Sequence, residues 1–188
     1  MRRAREEWAS LAVTLLASCL VFVDESSAKT NMTRLYGWAP EGGRASGDAP
    51  HGHWMTHTMI SSMRLDGTTA SMTVDSATDG DVFETYARTT LAPTPRPGDI
   101  VILDNLAAHK RAKVAEIVHA RGARIMFLPP YSPDLNPIEK MWSKIKSILR
   151  SLEPRTIEEL HAAITYAFSK VTPEDTRSFF ESCGYVFI

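Results

Sequence analysis

The sequence predicts a mixed-sheet α/β domain, and three features of its hydrophobic pattern support that fold class. Short β-branched apolar runs, typical of strands buried on both faces, occur at 20–23, 100–103 and 125–128. Segments with helical spacing of apolar residues lie between and after these runs. Two strand-like segments, at 53–64 and up to about 74, flank an Asp-Gly turn typical of an antiparallel hairpin. We therefore predict parallel and antiparallel strands in one sheet flanked by helices.

The bulk composition is that of one ordinary globular unit. A chain of 188 residues can build one domain with its own core but is short for two. An apolar share of 44% with 23% charged residues excludes disordered and fibrous classes. We predict that residues 1–19 are a lead-in or linker and that residues 20–188 form the domain.

The first apolar run leads into a pair of acids. Residues 20–23 predict a buried strand that delivers Asp24 at its end, followed by Glu25. If the strand continues, Glu25 should point away from Asp24, because successive side chains alternate between the two faces. Residues 26–52 are polar and rich in Gly and Pro, which predicts a loop or loose hairpin.

The middle of the chain repeats the pattern of a strand followed by an acid. A helix is predicted at 79–91, and "APTPRPG" at 92–98 ends it. The apolar run that follows, at 100–103, predicts a second buried strand that ends at Asp104. The spacing over 110–121 predicts another helix, with Gly122 as its C-cap. Its predicted inward residues are Val114, Ile117 and Val118.

The stretch "FLPPYSPDLNPIEKMWSKIK" predicts a turn that introduces a basic helix. Asn136 is a predicted N-cap and Pro137 the first helical residue. Glu139 falls in the first turn, on a different stripe from the apolar side chains, and Asp134 has the position of a hydrogen-bonding turn residue. A last helix is predicted at 156–170. The predicted apolar stripe of the basic helix is Ile138, Met141, Trp142, Ile145, Ile148 and Leu149.

Three acids stand out by position: Asp24 and Asp104 end apolar strands, and Glu139 begins a helix. In sheets of this class, ligand sites gather at strand ends. Magnesium prefers carboxylates and water, and two ions about 3.5–4 Å apart stabilise both the attacking and the leaving oxygens in phosphoryl transfer. Three carboxylates from separate elements therefore predict a divalent-metal site.

The charge distribution is uneven although the formal net charge is only −1. Residues 105–155 carry ten Lys and Arg against four Asp and Glu, a net charge of +6. A local basic surface suits a phosphate-bearing partner. The alternative is an ordinary solvated helix face.

The quoted motifs also resemble a known family. The sequence resembles the DDE endonuclease domain of the mariner-type bacterial insertion-sequence transposases at "VFVDES", "PGDIVILDNLAAHK", "LPPYSPDLNPIEKMWSKIK" and "FFESCGY". The spacing of 34 residues between Asp104 and Glu139 also resembles that of the family. The resemblance implies a ribonuclease-H-like fold in which Asp24, Asp104 and Glu139 hold two Mg²⁺ or Mn²⁺ ions. It also implies hydrolysis at a transposon end, followed by attack of the freed 3′ hydroxyl on target DNA.

Other residues are candidates for contacts with DNA. Asn105 and His109 lie close to the second acid and are expected to orient substrate or contact phosphate, with helix capping as the alternative. The cations expected to contact the DNA backbone are Lys110, Lys140, Lys144, Lys146 and Arg150. An active enzyme of this kind is expected to work as a homodimer on paired ends.

A whole transposase of this kind carries helix-turn-helix units ahead of its catalytic domain, and only about 20 residues precede Asp24. We therefore expect sequence-specific recognition from a separate subunit or an upstream reading frame. The alternative is a catalytically idle remnant that binds DNA nonspecifically.

Two other interpretations are disfavoured. His51, His53 and His57 lack a cysteine or a suitably spaced fourth ligand, so a strand with incidental histidines is expected rather than a zinc site. The N-terminus imitates a lipoprotein signal ending at Cys19, but Glu6 and Glu7 are unsuited to a signal. Its apolar run is also too short for a membrane span. A cytoplasmic protein without a membrane partner is expected.

Overall fold

The computed structural model describes residues 2–48 and 50–186 and shows one five-stranded mixed sheet. The strands are β1 (Leu20–Lys29), β2 (Thr56–Arg64), β3 (Thr69–Val74), β4 (Ile100–Leu103) and β5 (Arg124–Phe127). Their order across the sheet is β3-β2-β1-β4-β5. The β1–β2 and β2–β3 pairs are antiparallel, and the β1–β4 and β4–β5 pairs are parallel. The predicted mixed sheet is confirmed.

Six α-helices surround the sheet within the described residues. They are α1 (Arg2–Ala12), α2 (Gly80–Tyr86), α3 (Ala112–His119), α4 (Pro137–Leu152), α5 (Ile157–Ser169) and α6 (Pro173–Ser182). The predicted helix at 79–91 is α2 continued by a π-helical turn, Ala87–Leu91. Short 3₁₀ turns occupy 17–19, 107–110 and 133–135. Helices α1 and α6 were not predicted from the sequence.

The first strand is longer than its apolar run predicts. The sequence pattern ended it at Val23, whereas β1 continues through Asp24 to Lys29. Beyond its pairing with β4, the strand stays paired with β2, up to Lys29 opposite Thr56. Backbone hydrogen bonds to one antiparallel neighbour thus extend the strand where its side chains are polar. Asp24 lies in the middle of β1 rather than at its end.

The two faces of the sheet have separate cores. Leu20 and Phe22 of β1 pack in the cluster that includes buried residues of α4, α5 and α6. Val21 and Val23 pack in the other cluster, with residues of α2 and α3. Because side chains alternate along a strand, Asp24 points to the α4 side and Glu25 to the opposite side.

Helix α1 and the C-terminal segment meet at the turn that precedes α4. Trp8 of α1 is buried, and its Nε1 donates a hydrogen bond of 3.1 Å to the Tyr185 hydroxyl. That hydroxyl donates in turn to the Leu135 carbonyl oxygen at 2.8 Å. Arg5 makes two hydrogen bonds to the Asp134 carboxylate. The predicted hydrogen-bonding role of Asp134 therefore takes the form of an ion pair with α1.

Every helix in residues 2–48 and 50–186 is too short or too polar to span a lipid bilayer.

A buried ion pair ties the end of β2 to the start of β4. Two guanidinium nitrogens of Arg64 contact the Asp99 carboxylate at 2.7 and 3.1 Å, and both side chains are buried. The Arg96 backbone N–H also donates to Asp99. Burial raises the pKa of Asp99, but the hydrogen bonds and charge of Arg64 outweigh it, so that its pKa lies below the usual value.

We expect Asp99→Asn to lower the free energy of unfolding by about 3–5 kcal/mol, because it leaves the Arg64 charge buried without its counter-charge. Since the folded pKa of Asp99 is lowered, its contribution is present above the unfolded carboxyl pKa of about 3.9 and is lost as the pH falls through the folded value. Urea unfolding at several pH values measures both effects. The control Asp66→Asn, which removes an exposed pair with Arg96 at 3.8 Å, should cost less than about 1 kcal/mol. Equal losses in the two variants would contradict this prediction.

Candidate active site

Strand pairing places two of the three acids side by side. The parallel register pairs Phe22 with Ile102, so Asp24 and Asp104, each two residues further on, lie beside one another. Ile100 and Ile102 belong to the same core cluster as Leu20 and Phe22. Alternation along both strands therefore directs Asp24 and Asp104 to the sheet face that α4 covers.

The turn before α4 brings the third acid to the same place. Asn136 is the N-cap of α4 and Pro137 its first residue, as predicted, but the Asn136 side chain makes no capping hydrogen bond. Its Nδ2 instead points to Asp24 Oδ2 at 3.4 Å. Glu139 is exposed in the first turn of α4. Asp24, Asp104 and Glu139 line one cavity of about 380 Å³.

The walls of this cavity come largely from the turn between β5 and α4. They include Asn105, Leu106, Leu128, Pro129, Pro130, Tyr131, Ser132, Pro133 and Asn136. Tyr131 adopts a left-handed backbone conformation with φ of 53°, which is uncommon for a residue other than glycine. The residue is 88% exposed. The cavity therefore combines three acids with walls that are largely apolar and partly aromatic.

The acids repel one another. Burial, followed by the charges of Glu139, Glu25 and Asp104, raises the pKa of Asp24 to about 7. Among the described residues, neither Asp24 nor Glu139 forms an ion pair. The buried Asn136 Oδ1 also lacks a hydrogen-bond partner in that part of the chain. A cluster of oxygens in which two of the three carboxylates have no ion-pair partner fits a hard divalent cation.

Asp104 differs from Asp24 because a buried histidine pairs with it. His109 Nδ1 lies 2.6 Å from Asp104 Oδ1, and its Nε2 lies 2.9 Å from Glu25 Oε1. The Nδ1 contact is close enough for an ion pair with the protonated imidazole, although it lacks the ideal alignment of a hydrogen bond. Burial lowers the pKa of His109, but the two acids outweigh it and raise that pKa to about 9. Burial likewise raises the pKa of Asp104, and His109 with the Leu106 N–H outweighs it, so its pKa is lowered.

The structure gives His109 and Asn105, both predicted to orient substrate or contact phosphate, partners within the protein. His109 is 1% exposed and lies between two acids, so it presents no free nitrogen to DNA. Asn105 Nδ2 donates to the Leu128 carbonyl oxygen and thereby joins the end of β4 to the turn after β5. Both residues lie beside the candidate site, and their geometry favours positioning of Asp104 and of the cavity wall.

Sequence reasoning missed the Glu25–His109 pair and the Asn136 contact with Asp24. Alternation along β1 correctly directed Glu25 away from Asp24. The sequence did not show that the 3₁₀ turn at 107–110 brings His109 to the face of the sheet on which Glu25 lies. A histidine five residues after Asp104 was the available signal, but its direction depends on tertiary packing.

The predicted DNA-contacting cations differ in their surroundings. Lys110 is exposed, with Nζ 5.7 Å from the centre of the Phe127 ring. Lys144 pairs with Asp175 of α6. Lys140 is exposed, whereas Lys146 and Arg150 are half-buried on α4. Contacts of all five with DNA remain predictions.

We expect the Glu25–His109 contact to contribute to folding, because a charged imidazole is buried between two carboxylates. His109→Ala, Glu25→Gln and the double variant form a cycle whose coupling free energy should be about 0.5–3 kcal/mol in favour of the pair. Urea unfolding measures the four free energies. Additive losses would show that the 2.9 Å contact carries no stabilising interaction.

Comparison with known proteins agrees with this architecture. Residues 19–161 match the family described as DDE superfamily endonuclease. A comparison with curated proteins finds no match. Among solved structures, the Mos1 strand transfer complex aligns with a TM-score of 0.73 at 15% identity, covering 97% of this chain and 57% of that one. The pre-cleavage Mos1 transpososome aligns with a TM-score of 0.74 at 12% identity, covering 97% and 58%.

The isolated catalytic domain of Mos1 mariner transposase gives a TM-score of 0.57 at 13% identity, covering 100% of this chain and 93% of that domain. The chain thus spans little more than half of the longer Mos1 chains and nearly all of the isolated catalytic domain. These alignments confirm the ribonuclease-H-like fold. Because the family match covers most of its length, the chain belongs to the DDE superfamily endonucleases.

Proposed function

We propose that this chain is the catalytic domain of a mariner-type bacterial insertion-sequence transposase. It hydrolyses a DNA phosphodiester bond at a transposon end and then uses the freed 3′ hydroxyl to attack target DNA. The observation that carries the proposal is the meeting of Asp24, Asp104 and Glu139 in one cavity. Solved Mos1 complexes of the same fold include strand transfer and paired-end complexes, which supports a DNA substrate.

Asp24, Asp104 and Glu139 would hold Mg²⁺ or Mn²⁺, and we propose two ions. The Mos1 paired-end complexes with Mn and with Mg support this choice. When bound, such ions supply Lewis-acid activation of the attacking oxygen and stabilisation of charge on the phosphate. The burial of Asp24 and its acidic neighbours favour cation binding, because a cation relieves the repulsion that raises the pKa of Asp24.

The remaining site residues would hold the acids in place. His109 keeps Asp104 anionic and limits its movement through the contact on Nδ1. Asn136 holds Asp24 at the N-terminus of α4. The apolar turn from Leu128 to Pro133 would exclude water around the reacting phosphate.

We propose DNA as the main partner, with contacts to its phosphate backbone from exposed and half-buried cations of this chain. Lys110, Lys140, Lys146 and Arg150 are available for this role, whereas Lys144 is engaged with Asp175. Asn105 and His109 would act on the substrate indirectly, through the cavity wall and Asp104. A homodimer would engage paired ends in the cytoplasm, and a separate helix-turn-helix subunit or upstream reading frame would recognise the end sequence.

A catalytically idle remnant that only binds DNA is the less favoured function. A remnant has no need to keep three acids converging on one cavity, nor a buried histidine that keeps one of them anionic. Both features are present, so the structure favours a competent site.

We expect Asp104→Asn and Glu139→Gln each to lower DNA cleavage by more than about 100-fold, because even changes to the residues that orient a metal ligand typically cost 10–100-fold. Cleavage of a labelled duplex and of a pre-nicked transposon-end mimic, with Mg²⁺ or Mn²⁺, measures this, and chelation should abolish it. Glu116→Gln, an exposed acid of α3, is the matched control and should retain activity. A folded wild-type protein that cleaves neither substrate with either ion would favour the remnant.

We expect replacement of Lys140, Lys146 and Arg150 by Gln to lower the affinity for DNA and also to make that affinity less dependent on salt concentration. Each lost phosphate contact should reduce the slope of log K against log salt concentration by about 0.9. Fluorescence anisotropy at several salt concentrations measures the slope. Lys144→Gln is the comparison, because its ion pair with Asp175 predicts an effect on stability rather than on the slope. A slope unchanged in the triple variant would place the DNA elsewhere on the protein.

A further inference from the structure

A second group of metal-ligating side chains lies away from the acids. His57 is in β2, Asp75 directly follows β3, and His161 is in α5. His57 pairs with Ala28, four residues along β1 from Asp24. At a strand rise of about 3.3 Å per residue, this group is roughly 13 Å from Asp24. It is therefore separate from the candidate active site.

The three side chains converge to ligand distance. His57 Nδ1 lies 2.6 Å from Asp75 Oδ1 and 3.4 Å from His161 Nε2. All three ligand atoms lie within 4.8 Å of one another. Among residues 2–48 and 50–186, no other trio of His, Cys, Asp or Glu brings its ligand atoms so close. The two histidines are 104 residues apart in sequence, so tertiary packing assembles the group.

We infer that His57, Asp75 and His161 form a binding site for a first-row divalent ion of the Zn²⁺ type. Two imidazoles and one carboxylate are ligands that zinc accepts and that magnesium seldom takes. Zinc bonds of about 2.0–2.1 Å in tetrahedral geometry place neighbouring ligand atoms roughly 3.3–3.4 Å apart. The 3.4 Å between the two imidazole nitrogens matches that spacing without rearrangement.

Burial suits the site to three protein ligands and one open position. His57 is 2% exposed and is held within the sheet, whereas His161 and Asp75 are exposed. The Asp75 side chain is 76% exposed, so it can withdraw by the roughly 0.7 Å that separates its present contact from ligand spacing. Because two of the three ligands are exposed, water would complete the coordination of the ion.

An ion pair between His57 and Asp75 explains fewer of these contacts than a bound ion does. A His57–Asp75 contact alone explains the 2.6 Å distance. The ion pair does not involve His161, whose ring packs edge-to-face on His57 with centroids 5.0 Å apart and whose Nε2 lies 3.4 Å from the same nitrogen. A bound ion explains both contacts and would link the β2–β3 hairpin to α5. The exposed His51 and His53, close to His57 in sequence, take no part.

The test is a titration of the whole chain with Zn²⁺ against a chromophoric chelator, in millimolar Mg²⁺. An Asp24→Asn, Asp104→Asn background removes binding at the acid cavity. His161→Gln and Asp75→Asn change exposed ligands and should leave the fold intact, and His53→Gln is the matched control. Visible absorption of bound Co²⁺ reports four-coordinate geometry at the site.

We expect the background protein to bind one Zn²⁺ per chain. The affinity for Zn²⁺ should fall at least about tenfold in His161→Gln and in Asp75→Asn, and should be unchanged in His53→Gln. Absence of stoichiometric binding, or equal affinity in all variants, would overturn the inference. Mg²⁺-dependent DNA cleavage by His161→Gln should equal that of the wild type. The zinc site and the proposed nuclease function therefore succeed or fail separately.

Discussion

The in-register parallel pairing of β1 with β4 is the constraint on which the rest of the site depends. It sets Asp24 beside Asp104 through backbone hydrogen bonds alone, before any side chain of the cavity is considered. A slip of one residue would turn the acid of one strand to the opposite face, because side chains alternate. The apolar residues Val21, Phe22, Val101 and Ile102, buried on two different faces, make such a slip costly. Core packing and placement of the acids are thus the same requirement.

The position of Glu139 depends on the turn between β5 and α4. A turn lacks the repeated backbone hydrogen bonds of a sheet, so other contacts must hold its conformation. Three separate contacts do so. Arg5 of α1 holds Asp134, the Tyr185 hydroxyl holds the Leu135 carbonyl, and Asn105 holds the Leu128 carbonyl. The prolines at 129, 130, 133 and 137 further limit the backbone. These contacts fix the turn that precedes α4, and so place Glu139, in the first turn of that helix, near the acids of the sheet.

Local patterns in the sequence were enough to predict β4, the start of α4 and the three acids that now line one cavity. Each depends on a few adjacent residues, such as an apolar run or an Asn-Pro cap. The full length of β1 was not predictable, because its polar half is a strand only through pairing with β2. The contacts of His109 and the convergence of His57 with His161 join distant segments. Single-sequence patterns carry no information about such contacts.

The burial of Asp24 also bears on how such a chain would change if its chemistry were no longer needed. A carboxyl in the middle of a buried strand, close to two other acids, opposes folding rather than supporting it. A neutral side chain of similar size would relieve that cost. A substitution that abolishes function at this position would therefore increase the free energy of unfolding. Random drift would therefore remove this acid readily. Its presence is more readily explained by a benefit outside folding than by any contribution to the core.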